Sequence, residues 1–148
     1  MGLKTQIGGF SVQPLSVPHS VECYAFIISH EEAGKILFAT DCSSFRYKIK
    51  DLHHIIIEAN YSNDILIDNF CDGNDSKSLY SNHMELQDTI EALKVNYSPH
   101  LQNIVLCHLS NNNSNEQRFI EEVKKEICLD NVYIAKKDLT LQLSKEEF

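Results

Sequence analysis

Two imidazoles and a carboxylate stand where this chain passes from apolar runs to polar ones. They are His19 in Pro18-His19-Ser20-Val21-Glu22-Cys23-Tyr24, Asp41 in Thr40-Asp41-Cys42, and His108 in Leu106-Cys107-His108-Leu109-Ser110. Neutral imidazole and carboxylate are the donors that zinc, manganese or iron accepts, and catalytic zinc centres use about three protein ligands plus water. Asp41 follows the apolar run Lys35–Ala39 and His108 follows Asn103–Cys107. Both therefore fall at the carboxyl ends of expected strands, where open α/β sheets place ligands. Each residue also has a plainer reading: a histidine bonded to a nearby carbonyl, a turn-forming or helix-capping aspartate, an exposed turn histidine. What favours a metal site is that all three lie at strand ends in one small domain. Glu58, which ends the run His54-Ile55-Ile56-Ile57, either orients a ligand imidazole or is a solvated turn residue.

These residues need elements to position them. Gly9 to Val17 reads as a bulged or edge strand, because its apolar positions change face at Pro14. Cys23–Ile28 and Lys35–Ala39 are β-prone and flank a polar stretch ending at Gly34, which predicts a hairpin with a longish loop. His54–Ile57 is a short buried strand, and Asn63–Phe70 a short helix followed by a loop over Cys71–Ser76. Leu86, Ile90 and Leu93 recur at helical spacing, predicting a helix that starts at His83 and runs to about Asn96. Asn103–Cys107 is a further strand. Ser114 and Gln117 have capping-box spacing ahead of the apolar face Phe119, Ile120, Val123 and Ile127. Strands around Val132–Ala135 and Leu139–Leu143 close the chain. Strands first, then alternating strand and helix, imply an α+β domain with a mixed sheet and helices on one face.

Length and composition agree with one globular domain over residues 1–148: 43% of side chains are hydrophobic and 23% charged. No stretch approaches the roughly 20 apolar residues of a membrane span, and the start lacks a secretory apolar run, so a cytoplasmic protein is expected with no membrane partner. The five cysteines are odd in number and widely spaced, which predicts buried free thiols and not a disulfide framework. A formal charge of -8 excludes a broad basic face for nucleic acid. A metal centre would supply its own positive charge where a phosphate sits.

The local sequences resemble the metallo-β-lactamase superfamily, in particular its tRNase Z-like and WalJ-like phosphodiesterase and nuclease branches. Val17-Pro18-His19-Ser20-Val21-Glu22-Cys23-Tyr24-Ala25-Phe26 resembles the segment that places a metal-binding histidine before a strand. Phe38-Ala39-Thr40-Asp41 resembles the strand and turn presenting the metal-bridging aspartate, and Ile104-Val105-Leu106-Cys107-His108-Leu109-Ser110 the segment of the last histidine ligand. Ile56-Ile57-Glu58-Ala59-Asn60-Tyr61 and Ser81-Asn82-His83-Met84 match in order. The resemblance implies the second half of an αββα sandwich. The His-x-His-x-Asp-His cluster of the first half is absent from this sequence.

By the same resemblance, His19, Asp41 and His108 are the ligands of zinc or manganese, and Asp41 bridges two ions in the complete site. His83 assists proton transfer at the scissile phosphate, although a polar residue in a helix's first turn reads equally well. The expected function is a metal-dependent phosphodiesterase or nuclease, acting on nucleic acid or a cyclic nucleotide. It would be completed by a partner chain carrying the missing half, or by one shared ion at His19, Asp41 and His108. The alternative is a non-catalytic half-fold that uses its uncovered sheet face to form a homo-oligomer or to pair with a complementary chain.

Overall fold

The computed structural model describes residues 2–71 and 82–146. Seven strands form one sheet in chain order: β1 (Thr5–Ile7), β2 (Phe10–Val17), β3 (Cys23–His30), β4 (Gly34–Ala39), β5 (His54–Glu58), β6 (Asn103–Cys107) and β7 (Val132–Ile134). Pairing is antiparallel from β1 to β4 and parallel from β4 to β7. Among the described residues three helices accompany it: α1 (Asn63–Cys71), α2 (Leu86–Val95) and α3 (Glu116–Ile127). The expected mixed sheet is present. The loop expected over Cys71–Ser76 lies, beyond Cys71, outside the described residues.

Register places the apolar residues in rows. Leu37, Ile55, Ile104 and Val132 are successive partners across four strands, and Ala39, Ile57, Leu106 and Ile134 form the next row. All eight are buried, in one cluster with Leu86, Ile90 and Leu93 of α2 and Phe119, Val123 and Ile127 of α3. The two helices thus cover one face of the sheet, as their apolar spacing requires. Burying each large aliphatic or aromatic side chain in this layer contributes about 1.5–3 kcal/mol.

Alternate strand residues face the other way. Pro14, Phe26, Phe38, Ile56, Val105 and Tyr133 are paired in one continuous row from β2 to β7. Phe26, Phe38, Ile56 and Tyr133 are only half-buried. The sheet therefore carries a second apolar face without a carboxylate or ammonium in its central row.

Four local expectations are revised. β2 contains no bulge, since its pairing with β3 is continuous from Ser11↔Ser29 to Val17↔Cys23. Pro14 is accommodated because β1 stops pairing at Thr5↔Val12, and the contact beyond it, the Gly2 N–H donating to the Pro14 carbonyl at 2.8 Å, asks no donor of the proline. The β3–β4 loop is short, Glu31 to Ala33, and ends on Gly34 at φ +74°, where a Cβ would meet the His53 ring at 2.6 Å. α2 starts at Leu86, not His83: Glu85 is its N-cap and accepts from the Gln87 N–H at 2.5 Å. α3 is capped by Asn115, which accepts from the Arg118 N–H at 3.0 Å, while the Ser114 hydroxyl turns back to the Ser110 carbonyl at 2.6 Å.

The last predicted strand, Leu139–Leu143, is not formed. Gln142 lines a cavity with Leu129 and Asn131, at the start of β7, and the chain then passes the entry of β5. His54 Nε2 lies 3.1 Å from the Ser144 carbonyl, and the Lys145 N–H donates to the Glu32 carbonyl at 2.8 Å.

Candidate metal centre

The parallel strands β4, β5 and β6 end side by side, and each ends on a polar residue of interest. Asp41 follows β4, Glu58 closes β5, and His108 follows β6. Asp41 and His108 both adopt left-handed backbone, φ +53° and +59°. Asp and His tolerate that region better than most residues, yet it still costs free energy outside glycine, and such positions gather at functional sites.

Three neighbouring segments are laced together there. The Ala59 N–H donates to the Cys107 carbonyl at 3.0 Å, the Asn60 N–H to the Met84 carbonyl at 2.9 Å, and the Ser110 N–H to the Asn60 carbonyl at 2.8 Å. The Asn60 side-chain amide donates to the His108 carbonyl at 2.6 Å. The Thr89 hydroxyl at the start of α2 reaches the Glu58 carbonyl at 2.8 Å. These bonds bring the segment before α2, and with it His83, against the strand ends.

Donor atoms of Asp41, His83 and His108 all lie within 4.8 Å of one another. The His83 and His108 rings meet edge to face, centroids 4.9 Å apart, and His108 Nδ1 is 3.5 Å from Asp41 Oδ1. Ligand atoms around a tetrahedral zinc stand roughly 3.4 Å apart, given bonds of about 2.0–2.2 Å. Small side-chain rotations would close the observed set on one ion. Two imidazoles and one carboxylate suit zinc or manganese.

Glu58 lies beneath this group, fully buried. Its Oε1 is 2.7 Å from His83 Nδ1 and 3.2 Å from His108 Nδ1, and its Oε2 accepts from the Cys42 N–H at 2.9 Å. Burial pushes its carboxyl up to about 7, with the Cys42 N–H and His108 acting in the opposite direction. Burial also lowers the His83 pKa, and nearby His19 lowers it further. A carboxylate bonded to Nδ1 holds an imidazole with Nε2 directed away, the arrangement that prepares a ring to meet a metal.

His19 sits beside the group and outside it. Its Nδ1 is 3.0 Å from the Asn82 carbonyl, and its ring centroid is 5.9 Å from that of His83. Of the three ligands expected from the sequence, Asp41 and His108 are thus brought together, His83 joins them, and His19 stands one ring further out. Glu58 has a larger place than the sequence suggested. The available signal was a carboxylate directly continuing the apolar run Ile55–Ile57, where solvation is poor.

Beside His108 opens a cavity of about 450 Å³, lined also by Ser110, Asn111, Ser114, Glu116 and Ile134. Cys42 and Cys107, next in sequence to Asp41 and His108, are buried free thiols pushed up to about 12, chiefly by burial. At neutral pH they stay protonated and belong to the packing around the site.

No protein-family model matches the sequence, and no curated protein matches it. The fold, however, is similar to several solved structures. The metallo-β-lactamase fold protein YhfI from Bacillus subtilis aligns at 20% identity and TM-score 0.68, over 90% of this chain and 50% of its own. Zn(2+)-bound PqqB from Methylobacterium extorquens gives 16% and 0.70, over 97% and 54%. Human tRNase Z, short form, gives 17% and 0.60, over 94% and 45%. The chain therefore has the architecture of half a metallo-β-lactamase fold, and it spans about half the length of the structures it matches. The Asp41, His83 and His108 group is its candidate metal centre.

Proposed function

We propose that this chain is the ligand-bearing half of a metal-dependent hydrolase acting on a phosphodiester, either nucleic acid or a cyclic nucleotide. The observation that carries the reading is the convergence of Asp41, His83 and His108 at the carboxyl ends of β4 and β6, over a buried carboxylate. In the completed site Asp41, His108 and His19 would hold zinc or manganese, and His83 would deliver the proton to the leaving oxygen. A divalent ion there supplies Lewis acidity, acidifying water and neutralising charge that builds on phosphate oxygens. Glu58 holds His83 through Nδ1, so that its Nε2 is the nitrogen turned to the reacting group. Free thiols at the four described cysteines suit a reducing, cytoplasmic setting.

Completion requires further ligands and a cover for the second sheet face. A complementary chain or segment bearing the His-x-His-x-Asp-His cluster would provide both. The apolar row from Pro14 to Tyr133 also supports a second reading, in which the half-fold serves as a non-catalytic assembly protein that pairs with itself or another chain through that face.

The test is to load the chain with zinc or manganese, determine bound metal by elemental analysis with Asp41→Ala as control, and assay an activated phosphodiester with and without a complementary half. Metal lost in the variant, and hydrolysis appearing on complementation, is the expected result. Metal unchanged by Asp41→Ala, or a complemented and metal-loaded complex without hydrolysis, would overturn the hydrolase assignment.

A further inference from the structure

The rings of His19, His83 and His108 form a succession, with His83 in contact range of both others. His83 is the member whose donor atom already lies within 4.8 Å of those of Asp41 and His108. His19, whose Nδ1 faces the Asn82 carbonyl next to His83, is not among the three whose donor atoms converge. We propose that the chain by itself closes a mononuclear divalent-cation site from Asp41, His83 and His108, so that the prospective proton donor serves as a ligand until a complementary half takes over the ion. This rests on the metal reading above and adds a regulatory consequence. While His83 is a ligand, the ion is held in a form that lacks its proton donor.

Three features support it. The donor set is two imidazoles and one carboxylate, the number catalytic zinc sites draw from protein. Glu58 Oε1 lies 2.7 Å from His83 Nδ1 and 3.2 Å from His108 Nδ1, so one buried carboxyl group sits against both rings and holds them together beside Asp41. The hydrogen bonds that seat this segment run through backbone atoms, Asn60 N–H to Met84 carbonyl and Leu86 N–H to Tyr61 carbonyl, so His83 is held near the strand ends independently of its ring. With a ring nitrogen on a cation, His83 has no proton to give at that atom. Release of His83 would require a competing ligand set, such as a His-x-His-x-Asp-His cluster would bring.

The discriminating experiment uses the full chain with cobalt(II) as the probe, read by elemental analysis and by visible and near-ultraviolet absorption. About one ion per chain is expected, reduced at least tenfold in affinity by His83→Ala and little changed by His19→Ala. A gain of signal guards against misfolding: His83→Cys should add a thiolate-to-cobalt charge-transfer band, and His19→Cys should not. The reverse pattern, with affinity lost in His19→Ala and the new band in His19→Cys, would overturn the proposal while leaving the hydrolase reading intact. Binding that follows the proposal, joined with a complemented complex that never hydrolyses, would instead remove the hydrolase reading alone.

Discussion

Glu58 is a carboxyl group kept from water at the point where three potential metal-binding side chains meet. Its folded-state pKa is raised to about 7 from a usual value of 4.5, mainly by burial. The fold therefore favours the protonated form. Its contribution to stability is fully present below the unfolded value and is lost as pH rises through the folded one. Urea unfolding of metal-free protein should show Glu58→Gln losing least, or gaining, relative to the parent near pH 8, and comparing worst near pH 5. A difference between the two proteins that does not change over this range would contradict the assignment. Loading with a divalent cation should diminish the contrast, because a nearby positive charge favours the ionised carboxylate.

At the scale of elements, the connection from β4 to β5 passes over 14 residues, 40–53, with no helix to define it. Asn96, the C-cap of α2, fixes this segment. Its side-chain oxygen accepts from the Ile49 N–H at 2.7 Å, and its amide donates to the carbonyls of Tyr47 at 2.9 Å and Ala92 at 2.8 Å. The residue is 1% exposed, so the groups left behind by truncation would have little access to water. Asn96→Ala should destabilise the chain by about 2–4 kcal/mol, as expected when buried partners are left unsatisfied. Chemical denaturation measures this directly. Loss of protection for the 46–50 amides in hydrogen exchange would locate the effect.

For the whole molecule, the decisive feature is that the sheet has apolar residues on both faces while α2 and α3 cover one. Ile56 and Phe38 are adjacent in the second face and half-buried within it. A lysine at either position would place a charge in the middle of any sheet-on-sheet contact, where desolvation is costly. Ile56→Lys should leave the isolated fold nearly as stable as the parent, yet abolish association through this face by sedimentation analysis, whether the partner is a second copy or a complementary half. Undiminished association in this variant would place the interface elsewhere.

The elements themselves were largely legible in the sequence because their physical causes are local. Leu86, Ile90 and Leu93 announce a helix by spacing, and β-branched runs at His54–Ile57 and Asn103–Cys107 announce strands. Errors arose where distant groups decide. The start of α2 is fixed by Tyr61 and Asn63: the Leu86 N–H donates to the Tyr61 carbonyl at 2.8 Å, and the capping Glu85 carboxylate also accepts from the Asn63 N–H at 3.1 Å. The segment at Leu139–Leu143 makes no strand, and the residues just beyond it, Ser144 and Lys145, make their hydrogen bonds with His54 and Glu32, about ninety or more residues away. Asp41 and His108 could be picked out from their place at strand ends, since a polar residue after an apolar run is a sequence property. That His83, rather than His19, stands with them, and that Glu58 lies under both rings, follows from the parallel register of β4, β5 and β6 and the backbone bonds joining 59–61 to 84–86. Residue types and periodicity are written along the chain; distances between side chains more than twenty residues apart exist only once the sheet has closed.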